Sequence, residues 1–116
     1  MSNTTNLPTL ERRETIVSAV LGSAYTVWGW WRDVQFATGY SWHQHPVDPD
    51  TPFVTVWAED PESGDDLARD LTVRDIVSAF FLANIWVDKD ADDIDLDADS
   101  GDVVMQEAVY GDYIFA

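Results

Sequence analysis

Eight aspartates stand among the fifteen residues 88–102, DKDADDIDLDADSGD, with a single lysine between them. Carboxylates at this density suit three kinds of chemistry: holding a hard cation, copying the charge of a nucleic acid, or solvating a loop. As a calcium loop, Asp88, Asp90 and Asp92 fall at positions one, three and five and Asp99 at position twelve. Position six is then Asp93, where the sharp turn requires Gly, and the twelfth ligand is Asp rather than the longer, bidentate Glu. A second register through Asp95, Asp97 and Asp99 brings Gly101 one residue late. The set Asp88, Asp90, Asp92 and Asp99 is thus a weak alternative, and the sequence is read as having no metal or cofactor site.

A different spacing is more regular. Asp93, Asp95, Asp97 and Asp99 alternate with Ile94, Leu96 and Ala98. In extended backbone that alternation puts four carboxylates on one face, successive ones about 6.6 Å apart, and three apolar side chains on the other. The expected product is an acidic ridge fastened to the core. Duplex DNA carries one charge per roughly 1.7 Å of axis, so the ridge alone is too sparse to imitate it. Further acids are needed alongside, from Asp88, Asp90, Asp92 and Asp102 or from the group Glu59, Asp60, Glu62, Asp65 and Asp66.

His43 and His45 in WHQHP point the same way in an extended segment, but no third ligand accompanies them, so they are read as polar loop residues. Trp28, Trp30, Trp31 and Trp42 read first as core. Trp30 and Trp31 are consecutive, so in a strand they face opposite sides and one of them is expected to be open to a partner. No GxSxG, Walker loop or HExxH occurs, and carboxylates this abundant mark no particular catalytic pair, so the reading is non-enzymatic.

The elements that must position these residues follow from periodicity. Residues 1–8 are a polar lead-in ending at Pro8, and 9–116 form one domain, since 116 residues suffice for one core and hydrophobic residues make up 46% of the chain. Thr9 caps a helix running to Ala19 or Leu21, with Gly22 to stop it. Tyr25 to Tyr40 is rich in aromatic and β-branched residues and is expected to be a strand, with Gly29 at a bulge. SWHQHPVDPDTP reads as a loop. Phe53 to Glu59 reads as a central strand, DPESGDD as a hairpin turn, and LARDLT as the return strand. Thr72 and Asp75 form a capping box for a helix whose core face carries Ile76, Val77, Ala79, Phe80, Ala83 and Asn84. A last helix is expected from Gly101 or Asp102 to Tyr110, ended by Gly111. The fold class is α+β, a small antiparallel sheet of about three strands with two to three helices.

The formal net charge of −16, from 22 acids against six bases, disfavours direct contact with nucleic acid or an anionic membrane and favours a basic protein surface. There is no cysteine, and no segment reads as a signal or membrane span, so the cytoplasm is the expected compartment. Seventeen Asp against five Glu and one Lys also fits a salt-adapted surface with no charge-specific role.

GSAYTVWGWWRDVQF and the ending DVVMQEAVYGDYIFA resemble the small acidic proteins of unassigned function encoded by bacteriophages of actinobacteria. The likeness is one of overall texture, a helix, an aromatic strand, an Asp-rich connection and a short terminal helix, without a defined motif. It implies a setting in the cytoplasm of an infected host cell and assigns no functional residue. The expectation is an interaction protein that meets a basic host or defence protein, with nucleic-acid mimicry as its sharpest form. The partner-binding set is Asp90, Asp92, Asp93, Asp95, Asp97, Asp99 and Asp102 with Trp30 and Trp31. A calcium module and a virion or assembly component are the alternatives.

Overall fold

A computed structural model of the protein describes residues 7–23 and 28–115. Three helices cover one face of a three-stranded antiparallel sheet. The order is α1 (Leu10–Leu21), β1 (Trp31–Phe36), β2 (Val54–Glu59), β3 (Asp66–Leu71), α2 (Val73–Leu82) and α3 (Ala98–Tyr110). The sheet is a meander with β2 in the centre, the α+β arrangement expected from the sequence.

Alternation in β2 sets the two sides of the sheet. Val54, Val56 and Ala58 are buried, while Thr55, Trp57 and Glu59 are only half-buried. On that second side Trp57 lies between Asp33 of β1 and Ala68 of β3, and Thr55 between Gln35 and Asp70; all four neighbours are exposed. The outer side of the central strand is therefore only partly covered. The inner side joins one cluster with Ile16 and Val20 of α1, Ile76 and Phe80 of α2, and Val104 and Met105 of α3. Removing such side chains from water stabilises the fold by roughly 1.5–3 kcal/mol each before entropy is counted.

The helix ends carry the expected signals. Thr9 accepts a hydrogen bond from Arg12 N, and Gly22 follows α1. Thr72 and Asp75 exchange hydrogen bonds of 3.1 and 2.9 Å as a capping box. Gly64 and Gly111 take positive φ, one in the β2–β3 hairpin and one after α3, where a β-carbon would be strained.

Four expectations are corrected. The aromatic strand is shorter than the range 25–40: residues 25–27 lie outside the described residues, and Gly29 and Trp30 form a turn before β1. The sheet irregularity falls between Trp31 and Asp33 rather than at Gly29. Asn84 is exposed, beyond the end of α2. Finally α3 begins at Ala98, three residues earlier than Gly101, because the Asp97 carboxylate accepts the Ser100 amide at 2.8 Å and caps the helix there.

Candidate functional site

The acidic segment leaves the C-terminal end of α2, runs along α1 from Arg12 in its first turn, and enters α3. Its two neighbouring cations hold it by the backbone. Lys89 Nζ donates to the carbonyls of Phe81 (3.0 Å) and Ala83 (2.6 Å). That satisfies carbonyls which the end of α2 would otherwise leave unpaired, and it sets a positive charge at the negative helix end. Arg12 of α1 reaches across to the carbonyls of Lys89 (2.5 Å) and Asp92 (3.4 Å), and to that of Ala91.

Two of the four remaining cations behave similarly. Arg13 donates to the carbonyls of Pro8 and Val47, and Arg69 to that of Val109 in the last turn of α3. Only Arg32 and Arg74 pair with carboxylates among the described residues, Arg32 with Glu59 and Asp66 and Arg74 with Asp50. The hydrogen bond to Arg74 holds the Asp50 carboxyl below the usual carboxylate range. None of the eight aspartates of 88–102 has an ion-pair partner among the described residues. This segment and the hairpin group Glu59, Asp60, Glu62, Asp65 and Asp66 hold 13 of the 22 acids, and of these just Glu59 and Asp66 have an ion-pair partner among the described residues.

The ridge is present in altered form. Asp93, Asp95, Asp97 and Asp99 are all exposed, while Leu96 is buried and Ile94 and Ala98 are half-buried. Asp93, however, lies in a bend, Asp97 is a helix cap and Asp99 lies in the first turn of α3, so the regular extended spacing is not kept. Hydrogen bonds from Ser100 and the Asp99 amide hold the Asp97 carboxyl below its ordinary range. Both carboxylates also oppose the positive end of the α3 dipole, which is stabilising. Asp88 and Asp90 are exposed, and Asp88 accepts the Asp90 amide at 3.0 Å. Asp92 is exposed as well.

Three residues of the expected partner set turn inward instead. Asp102 Oδ1 accepts from Trp30 Nε1 at 2.5 Å and from Gln106 Nε2 at 2.8 Å. Trp30 is 3% exposed. Its ring stacks on Trp28 at 5.7 Å and meets Trp31 and Tyr110 edge-on. Trp31 is half-buried in the same aromatic group and also meets Trp28. The expected strand geometry fails because Trp30 precedes β1, so consecutive tryptophans need not alternate. This group joins the start of β1 to α3, with Trp28 Nε1 donating to the Ala98 carbonyl at 2.8 Å. Beside it a hollow of about 460 Å³ is lined by Trp28, Trp30, Glu59, Asp99, Asp102 and Phe115 among others. Tyr110 donates to the Glu59 carbonyl at 2.5 Å, and burial, with the Glu59 charge adding to it, pushes its phenol up to about 12. The acidic segment and the end of β2 thus meet at one hollow.

Neither metal set is assembled. His45 contacts the Phe53 ring and the Trp42 carbonyl, His43 contacts Trp42 and Ser41, and Asp99 lies in α3. Among the described residues no three His, Asp or Glu side chains are disposed to hold a metal ion.

Sequence reasoning missed a group of apolar residues at the start of the segment. Phe81 is 43% exposed, Leu82 72% and Trp86 fully exposed at 103%. The signal was available: on a helix Phe80, Phe81 and Leu82 point about 100° apart, so one face cannot bury all three. Trp42 and Val47 are exposed apolar residues of the loop before β2.

The chain matches no family model, and no curated protein and no solved structure is found similar to it. No helix among the described residues is long and apolar enough to cross a membrane.

Proposed function

We propose that this protein is a non-catalytic interaction module that engages a basic surface of a host or defence protein in the cytoplasm of an infected cell. Imitation of a nucleic acid's charge is the sharpest form of that reading. One observation carries it: every basic side chain is already engaged within the fold, four of the six with backbone carbonyls, so the exposed aspartates of 88–99 have no ion-pair partner among the described residues and outnumber the two cations at this segment, Lys89 within it and Arg12 bonded to it. A field of one sign attracts and steers a partner of the opposite sign. Glu59, at the start of the hairpin, and Asp99 of the ridge line one hollow, which sets the two acidic groups side by side and supports a surface wider than the ridge itself.

The test is capture from host lysate at low and moderate salt by the native protein and by a variant with Asp93, Asp95, Asp97 and Asp99 changed to Asn. Basic proteins should be retained by the native protein, less so at the higher salt, and lost from the variant. Identical capture by both proteins would reduce the segment to a solvated connection.

A further inference from the structure

The exposed apolar residues at the end of α2 sit inside the acidic segment's own fold. Lys89 bonds back to the carbonyls of Phe81 and Ala83, so residues 83–89 form a closed turn against the helix end. Within that turn Ile85 and Val87 pack against the core, whereas Asn84, Trp86 and Asp88 face outward. Trp86 therefore projects from a turn anchored on both sides of it, four residues after Leu82 and two before Asp88 in the chain. Three large apolar side chains left in solvent within six positions, one of them a fully exposed tryptophan, mark an interaction surface.

Charge decides what covers it. Lys89 and Arg12 donate to backbone carbonyls and pair with none of Asp88, Asp90 and Asp92, so the rim presents three exposed carboxylates that outnumber these two cations. A second copy of the chain would bring two such rims and two charges of −16 together. We propose that Phe81, Leu82 and Trp86 form the apolar anchor of a docking surface for a cationic amphipathic segment, one whose aliphatic residues are flanked by Lys or Arg. This rests on the reading of the acidic face as a surface for basic partners and adds to it that charge alone is insufficient. The acids accelerate encounter and the aromatic knob slows release.

Two synthetic peptides of equal charge and length separate the inference from that reading: a Lys/Gly peptide with no apolar residues, and a Lys/Leu peptide patterned to form an amphipathic helix. Titrated into the native protein at about 50 mM salt, both should bind, the Lys/Leu peptide at least tenfold more tightly. In a Trp86→Ala, Leu82→Ser double variant the two affinities should become equal, at the level of the Lys/Gly peptide. Trp42→Ala, which removes an exposed tryptophan elsewhere, should leave the excess unchanged. Thermal melting of the double variant should match that of the native protein, since Leu82 and Trp86 lie in solvent. An excess that survives the double variant, or is absent from the native protein, overturns the anchor while the charge reading stands. Failure of both peptides to bind overturns both. Sedimentation showing a dimer at low salt that the double variant abolishes would assign the patch to a second copy and overturn the proposal.

Discussion

At the scale of single residues the same side-chain type does opposite things. Asp95 lies in solvent, whereas Asp102, seven positions on, accepts hydrogen bonds from Trp30 and from a fully buried Gln106. Gln106 in turn donates to the Phe115 carbonyl and accepts the amides of Ile114 and Phe115, so it fastens the C-terminal residues to α3. Removing one partner of such a network leaves buried groups unsatisfied. Asp102→Ala should cost about 1–3 kcal/mol in urea denaturation, Asp102→Asn less because an amide oxygen still accepts, and Asp95→Ala close to nothing. Equal stability of all three would mean the network bears no weight. His45 makes a second residue-scale prediction. Desolvation lowers its pKa below the ordinary 6.5, its Nε2 lies 2.7 Å from the Trp42 carbonyl, and its buried Nδ1 has no hydrogen-bond partner among the described residues. The unfolded chain therefore takes up the proton first as pH falls. The stability contributed by neutral His45 is complete above about pH 6.5 and is lost as pH drops through the folded value. Between pH 7.5 and 5.5 the native protein should lose more melting temperature than His45→Gln. A parallel response of the two would show that the ring titrates as it does in the unfolded chain.

At the scale of elements, what the sequence made legible was whatever local chemistry specifies. The Thr9 cap, the Thr72–Asp75 box and the hairpin at Gly64 each depend on a few adjacent residues, and each is where the spacing puts it. The start of α3 was misplaced because a run of alternating Asp satisfies two patterns at once: a half-buried extended stretch, and an Asp cap followed by an acidic first turn. The cap prevails at Asp97, where it satisfies an amide that the strand reading would leave to water. The inward turn of Asp102 and Trp30 depends on contacts across 72 residues, which no local pattern encodes. Two variants probe this junction. Gly101 packs against the end of α1, and a β-carbon there would lie 2.7 Å from Ser23 Cβ and 3.1 Å from Trp28 Cζ2. Gly101→Ala should thus destabilise by about 1–3 kcal/mol through overpacking, against a helix propensity that by itself favours Ala. A stabilised Gly101→Ala protein would show that α3 can shift away from α1. Changing Asp93, Asp95, Asp97 and Asp99 to Asn should leave the fold intact, since Asn also caps a helix, whereas Leu96→Ser should cost roughly 1.5–3 kcal/mol. Urea midpoints for the two proteins order them directly.

At the scale of the whole molecule, 22 acids and six bases share a body with a Cα radius of gyration of 13.4 Å, about what an ordinary compact domain of this length occupies. The charge is therefore crowded rather than diluted by an extended shape. Among the described residues just Asp50, Glu59 and Asp66 have ion-pair partners, and those pairs are exposed enough to contribute little. Self-repulsion then opposes folding most strongly at low ionic strength, and it is screened once the Debye length falls to about 10 Å near 0.1 M salt. Melting temperature should rise with sodium chloride through the sub-molar range and then level off. A continued rise into molar salt would instead be the behaviour of a surface adapted to brine, and a flat response would mean that the acids are dispersed enough not to interact. Divalent ions distinguish screening from coordination on the same measurement. A built site stabilises in proportion to the logarithm of free ion above its dissociation constant, and it discriminates calcium from magnesium by ligand number and cavity size. Since no three acidic side chains among the described residues converge on a cation position, calcium and magnesium should raise the melting temperature alike. They should exceed sodium at equal ionic strength only modestly, and at millimolar rather than micromolar concentration. A calcium-specific rise at micromolar free ion would require Asp88, Asp90, Asp92 and Asp99 to gather around the ion, and would make the segment a metal site in place of an open acidic face.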